Sequence, residues 1–471
     1  MNINKDILKI ALPSILANIT VPIVGMVDIA VAGHLDGSGI LSTATFISGI
    51  AIGSMLFDLL YWNFFFLRVG TGGLTAQSYG RGDMRECANL LSRATGIALV
   101  VALLIISLQW VCVKAAFLVV ECTPQVRELA TQYFFVRIWA APATLSLMAF
   151  KGWFIGMQDS ISSMAVDLVV NIVNIAASIV LTLGFRSGGL EYEGIGFAGV
   201  AAGTVVAQYS GLVCAVLIIL FRYRRKVFAG YGLRDGLASM KGGEMRRFFS
   251  LNTNLFIRSV CFIGIYMGFT TLAARYGDLM LASATIMMKI MMLFSYFTDG
   301  FAYAGEALTG KFIGMQDKPS MIKAVRYTFI WSMAIGVVFM GIYAVSGVPM
   351  LRLMTADNDV VEAAGQFLPW LLLMPVVGCA AFAWDGVYIG ATASKAIRYA
   401  MLWATAGFVG FYYAGVFLLD MSEFYGTSGY GPMGIHILLF AYFVHLVIRT
   451  VYLSVKYRKV VRTEPFLEHN L

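Results

Sequence analysis

Gly152-Trp153-Phe154-Ile155-Gly156 and Gly386-Val387-Tyr388-Ile389-Gly390 decide how this chain is read. They lie 234 residues apart, about half of the 471-residue chain. The same offset pairs Thr75, Gly80 and Asp83 with Thr309, Gly314 and Asp317. Two landmarks in one register argue for an internal duplication. Both copies sit beside long apolar runs, so the duplicated unit reads as a membrane bundle.

Composition agrees. The chain is 59% hydrophobic and 13% charged, with a mean hydropathy of +0.79. A soluble domain carries roughly 25% charged residues. The apolar stretches, with clear examples around 97–108, 205–221, 329–343 and 435–453, exceed the ~20 residues that cross a bilayer. In hydrocarbon the backbone must satisfy its own hydrogen bonds, which leaves helices or a closed barrel. Barrel strands alternate in and out over about 10 residues. These runs are continuous, so helices are expected. The net charge of +8 does not point to nucleic acid, because the basic residues gather in short loops between spans. The six cysteines (Cys87, Cys112, Cys122, Cys214, Cys261, Cys379) show no metal or redox spacing and read as packing residues. The first apolar segment is too long for a signal-peptide core, so no cleaved leader is expected.

Twelve spans are predicted, with cores near 7–33, 41–69, 92–120, 129–157, 161–185, 195–221, 251–275, 280–310, 322–347, 362–390, 396–419 and 432–455. With Lys5 and Lys9 placed in the cytoplasm, the basic loops fall on that side: Arg81, Arg85 and Arg93, then Lys311, Lys318, Lys323 and Arg326, then Lys395 and Arg398. The segment 222–249 and the tail beyond 455 are basic as well. The opposite side holds Asp36, Glu191, Glu193, Asp278, Asp357, Asp359 and Glu423. This is the distribution of an even helix count with both termini inside. The expected organisation is an N-terminal six-helix lobe over 1–221, a cytoplasmic linker over 222–249, a C-terminal six-helix lobe over 250–455 and a tail over 456–471. Six spans per copy make parallel repeats, the architecture of many transporters, with a cleft between the bundles.

Ionisable residues inside the spans are the candidate site, since each costs about 2.5 kcal/mol or more on insertion scales. Asp28 lies in the first span, with no Lys or Arg one helical turn away. It reads as a proton or cation carrier, or else as a helix-end residue near the outer surface. Pro13 and Pro22 in the same span each remove a backbone hydrogen bond, and serve as hinge candidates or as packing residues. In the fifth span Asn171 and Asn174 precede Ser178, and Asn174 and Ser178 share a face. They suit ion ligation or interhelical hydrogen bonding equally. The second half carries Arg258, Lys289, Asp299, Glu306 and Asp385. Asp299, Glu306 and Asp385 form a candidate ion or substrate site, unless Lys289 or Arg258 neutralises Asp299 and Glu306, which share a face of the eighth span. Asp58 is ambiguous in the same way, and Asp167 reads as structural.

Gly305-Glu306-Ala307-Leu308-Thr309-Gly310-Lys311 matches most of a phosphate-binding loop, but Phe312 stands where Ser or Thr is required, after a helix rather than a strand. Nucleotide hydrolysis is therefore not expected, and four histidines supply little for enzyme chemistry.

Ala11-Leu12-Pro13-Ser14-Ile15, through Asn18-Ile19-Thr20-Val21-Pro22, to Val27-Asp28 and Gly33-His34-Leu35-Asp36, resembles the first helix of MATE-type transporters, in the DinF-like branch. Gly73-Leu74-Thr75-Ala76-Gln77, Asp299-Gly300-Phe301-Ala302-Tyr303-Ala304 with Glu306, and Asp385-Gly386 with Ile389-Gly390-Ala391-Thr392 extend the resemblance over nearly the whole chain. The resemblance implies two six-helix lobes, a central cavity, and export of cationic or amphipathic compounds in exchange for protons or sodium. Its first-helix coupling acid falls on Asp28. Its fifth-helix pattern is an asparagine followed four residues later by an aspartate. Asn174 matches, but Ser178 stands at the aspartate position, so coupling falls to Asp28 with Asn174, or in part to the second-half acids. The expected partners are a small-molecule substrate and the lipid bilayer, with no nucleic acid, no metal, no cofactor beyond H+ or Na+ as coupling ion, and a monomeric state. The alternative is a lipid-linked saccharide flippase, for which a more basic cavity is expected.

Overall fold

The computed structural model describes residues 2–35, 43–117, 120, 122–187, 190–355, 357–418 and 431–467. Asp36 and Glu423, expected on the outer side, lie outside the described residues. Among those described, twelve helices are long and apolar enough to cross a membrane. They are Ile3–Gly33, Thr45–Arg81, Met84–Ser107, Pro124–Gly156, Ser160–Leu183, Ala198–Tyr223, Gly243–Ala274, Asp278–Gly314, Lys318–Met354, Leu368–Gly390, Ser394–Leu418 and Pro432–Phe466. The all-helical expectation holds, apart from a short antiparallel pairing of Phe185–Ser187 with Leu190–Tyr192.

The chain forms two compact units. An N unit comprises Leu16–Phe248, and a C unit comprises Phe249–Leu471 together with Met1–Ile15. The first span is a single helix that runs through Pro13 and Pro22 and changes unit between Ile15 and Leu16.

Each unit is organised around one close helix contact. In the N unit, the helix Phe66–Arg81, which is the second half of the second span, packs on Ala141–Gly156 of the fourth. A Cβ added at Gly152 would collide with the carbonyl oxygen of Arg68, and one at Gly156 would lie 2.7 Å from that of Gly72. In the C unit, the eighth span packs on the tenth. A Cβ at Gly386 would collide with the carbonyl of Ala302, and one at Gly390 with that of Glu306. Arg68 and Ala302, like Gly72 and Glu306, are 234 residues apart. The repeated glycines therefore mark one packing register used twice. Between lipid-embedded helices there is little hydrophobic drive, and small residues that let backbones touch supply the association.

The helix–helix turns keep the same offset. Gly82 (φ +76°) corresponds to Gln316 (φ +57°), and Gln158 (φ +63°) to Thr392 (φ +54°). In each turn the following N–H reaches back to close the preceding helix: Asp83 to Ser78 O at 3.0 Å, Asp317 to Phe312 O at 2.9 Å, Asp159 to Phe154 O at 2.8 Å, and Ala393 to Tyr388 O at 3.0 Å. Three of those residues also cap the next helix. Asp83 Oδ1 accepts from Glu86 N–H (2.9 Å), Asp159 from Ser162 (3.2 Å) and Asp317 from Ser320 (3.0 Å). A cap of this kind contributes about 1 kcal/mol, which is why Asp83 and Asp317 recur in the sequence.

Two further features position the site. The sixth span approaches the fifth through Gly199, against the Leu181 backbone, and Gly203, whose added Cβ would lie 2.6 Å from Ser178 Oγ. The 222–249 segment is tied to the third span. Arg85 pairs with Asp235 at 2.7 Å, Tyr231 Oη donates to Asn89 Oδ1 at 2.9 Å, and Arg93 Nε donates to the Ser239 carbonyl at 2.7 Å.

Gly152→Ala and Gly386→Ala are each expected to destabilise the purified protein by about 1–3 kcal/mol, because backbone atoms rather than flexible side chains meet the new methyl. Gly410→Ala in the eleventh span, with nothing within 4 Å of the new Cβ, is expected to leave Tm unchanged or raised. Thermal denaturation of the three variants checks the contrast.

Candidate functional site

In the N unit the fifth span is joined to the first at two levels. Asn171 Nδ2 donates to Thr20 Oγ1, whose hydroxyl donates to the Ala17 carbonyl at 2.7 Å. Two turns further on, Ser178 Oγ donates to Asp28 Oδ1 at 3.2 Å. Asp28 is 7% exposed and Ser178 fully buried. Asn174, between these levels, turns to the sixth span and donates from Nδ2 to Thr204 Oγ1 at 3.1 Å. Its buried Oδ1 has no hydrogen-bond partner among the described residues. The spacing of Asn171, Asn174 and Ser178 thus lays three polar groups along one helix, two of them facing the first span.

Asp28 has no counter-charge one turn away on its own helix; Arg137 of the fourth span, which the sequence pattern did not single out, supplies one. Arg137 interacts electrostatically with both Asp28 and Asp58. It donates to Tyr133 Oη at 2.8 Å and Ser54 Oγ at 3.4 Å, and its guanidinium lies 4.9 Å from the Phe57 ring centroid. The signal was present, since an arginine within an apolar span needs a partner as much as an acid does.

The C unit pairs its charges differently from either expected partnership. Arg258 of the seventh span donates from Nη2 to Asp385 Oδ2 at 2.5 Å, and Arg449 of the twelfth span donates to the same oxygen at 2.7 Å. Arg258 therefore serves Asp385 rather than Asp299 or Glu306, and Lys289 is exposed. Glu306 is fully buried and Asp299 partly so, on the eighth span. Arg449 went unnoticed in the sequence. It is 1% exposed and among the largest fully buried side chains of the chain. Lys151, at the position equivalent to Asp385, forms an ion pair with Asp167. The same register position thus carries a cation in one unit and an anion in the other, each matched from elsewhere.

A MatE family model matches residues 13–180 and again 255–413, so the same description fits both halves. The chain belongs to the MATE family of multidrug efflux transporters. DNA damage-inducible protein F of Escherichia coli (strain K12) is 31% identical over 406 residues, covering 86% of this chain and 84% of that relative. A probable multidrug resistance protein NorM of Photorhabdus laumondii is 23% identical over 97% of this chain and 96% of its own length. Among solved structures, a MATE crystal structure in the bent conformation superposes with a TM-score of 0.81 at 16% identity, over 98% of this chain and 97% of that one. An outward-facing multidrug resistance MATE transporter also gives 0.81, at 17% identity over 98% of both chains. At such identities the structures show the shared fold. As a MATE protein the chain is a multi-pass membrane transporter of small molecules, not an enzyme.

The charge balance in the C unit has a measurable consequence. Asp385→Asn leaves two guanidinium groups without their shared carboxylate, and is expected to cost about 3–5 kcal/mol of stability. Arg258→Gln leaves a one-to-one Arg449–Asp385 pair and is expected to cost markedly less. Thermal denaturation of both purified variants checks the order, and the reverse order contradicts it.

Proposed function

We propose that the chain exports amphipathic small molecules across the cytoplasmic membrane in exchange for protons or sodium ions, with Asp28 as the coupling group. The observation that carries this reading is the charge balance around Asp28. One partly buried guanidinium, Arg137, is shared electrostatically between two carboxylates, buried Asp28 and exposed Asp58, so it does not fully offset the charge of Asp28. A charge held inside a membrane protein needs a counter-charge. A proton or a sodium ion supplies it, and Ser178 Oγ offers an oxygen beside the same carboxylate. Ser178 at the position of the family's aspartate leaves Asp28 as the acid of this group that meets the fifth span.

Transport then follows from competition. Ion and cargo each favour a different conformation, and the ion gradient sets which state is populated. Pro13 and Pro22 sit in the helix that carries Asp28, where missing backbone hydrogen bonds lower the cost of bending. The resemblance implies cationic or amphipathic cargo. Partly buried Arg137 and buried Arg449 set guanidinium groups among the acids of the spans, so amphipathic character is the requirement. Basic residues in the loops and tail support cytoplasmic termini, and a monomer suffices because one chain completes both units.

In proteoliposomes, efflux of ethidium driven by proton and sodium gradients imposed separately identifies the coupling ion. Asp28→Asn is expected to abolish gradient-driven efflux by the wild-type ion while the variant still inserts and folds. Efflux equal to wild type contradicts the assignment.

A further inference from the structure

The C unit carries the opposite imbalance to the N unit. Arg258 and Arg449 share one carboxylate, Asp385, and both reach the same oxygen, Oδ2. Two guanidinium groups against one carboxylate leave the cluster with one positive charge in excess. His445, one turn before Arg449, is 1% exposed with Nδ1 against the Tyr442 carbonyl, and brings no negative charge. Asp385 Oδ1, Arg258 Nε and Arg449 Nε are buried without a hydrogen-bond partner among the described residues. Donor capacity is thus left over inside the protein, where an unmet polar group is costly.

The shape of that capacity is specific. A guanidinium presents its donors in a planar fork that matches a carboxylate in two-point contact. Asp385 uses only part of either fork, since each guanidinium donates to it through Nη2 alone and to the one oxygen Oδ2. Access is unequal: the Arg449 side chain is 2% exposed and that of Arg258 18%, so an incoming group meets Arg258 first. The Phe382 ring, 6.0 Å from the Arg449 guanidinium, provides an apolar neighbour.

We propose that Arg258 and Arg449 form a binding site for an organic monocarboxylate, with Asp385 occupying the forks until that anion arrives. The incoming carboxylate takes Arg258, and Asp385 stays on Arg449. The loaded cluster holds two carboxylates and two guanidinium groups and is neutral, which is the favoured condition in a low-dielectric interior. No bond forms or breaks. As a cargo site this rests on the transport reading and adds to it that amphipaths bearing a carboxylate are among the cargo. Binding itself is measured without any ion gradient, so a failure of the coupling assignment leaves the outcome intact.

The test is calorimetric titration of the purified full chain in phosphatidylcholine nanodiscs with sodium octanoate, and with octylamine as the cation of equal chain length. Octanoate is expected to bind saturably and octylamine not to compete. Arg258→Gln, which keeps a neutral Arg449–Asp385 pair, is expected to weaken octanoate by about tenfold or more, the loss of one charge-assisted pair, while the variant stays folded with a smaller loss of Tm than Asp385→Asn. Arg258→Lys, which keeps the charge but not the fork, is expected to fall between. In nanodiscs containing phosphatidylglycerol the octanoate affinity is expected to stay unchanged. Its loss there assigns the forks to a lipid headgroup and overturns the monocarboxylate assignment. Absence of octanoate binding to the wild type, or equal binding to Arg258→Gln, overturns the site itself.

Discussion

The fold depends on glycine against backbone. Gly152 and Gly156 lie on the carbonyls of Arg68 and Gly72, and Gly386 and Gly390 lie on those of Ala302 and Glu306. In lipid, an apolar side chain gains little by leaving the solvent for another helix, so the register of two spans is set by how closely their backbones can approach. Any side chain at these glycines pushes the pair apart. The residue before the first glycine, Lys151 in one unit and Asp385 in the other, is thereby held at a fixed place in each bundle. The contact is structural, but it decides where each unit presents that charge.

On this common frame the charges differ. The N unit sets Arg137 against Asp28 and Asp58, and the C unit sets Asp385 against Arg258 and Arg449. The two groups differ in charge character, the first answered by a cation and the second by an anion in the proposed reading. The repeated bundles share a frame and differ at a few charged positions. The sixth span shows how packing limits such differences. Gly203 lies against Ser178, so a side chain at Gly203 would collide with the fifth span at the residue that bonds to Asp28.

Much of the fold was legible because its signals are local. Twelve apolar runs, polar loops and a 234-residue offset need only the one-dimensional chain. The matched Asp83 and Asp317 had a local cause as well, since each caps the helix that follows it. Part of the site was legible for the same reason: Asp28, Asn171, Asn174 and Ser178 stand out as polar residues inside apolar helices. What the sequence withheld was pairing. Arg137 acts electrostatically on Asp28 from a span more than 100 residues away, and Arg449 meets Asp385 across 64 residues. Arg258 was named as a counter-charge but assigned to Asp299 or Glu306, because helical spacing orders residues along one helix and says nothing of which neighbour faces it. The 222–249 segment reads as a plain linker for a similar reason; its anchors on Arg85, Asn89 and Arg93 are tertiary.

The central claim is that Asp28 is the group that exchanges its counter-ion while the acids around it keep theirs. Infrared difference spectroscopy of the purified protein, switched between acidic and alkaline buffer and between sodium-free and sodium-containing buffer, reads carboxyl groups directly. The account predicts a carboxyl band that responds to acid or to sodium, is lost in Asp28→Asn and persists in Asp58→Asn. A responsive band of full amplitude in Asp28→Asn would contradict it.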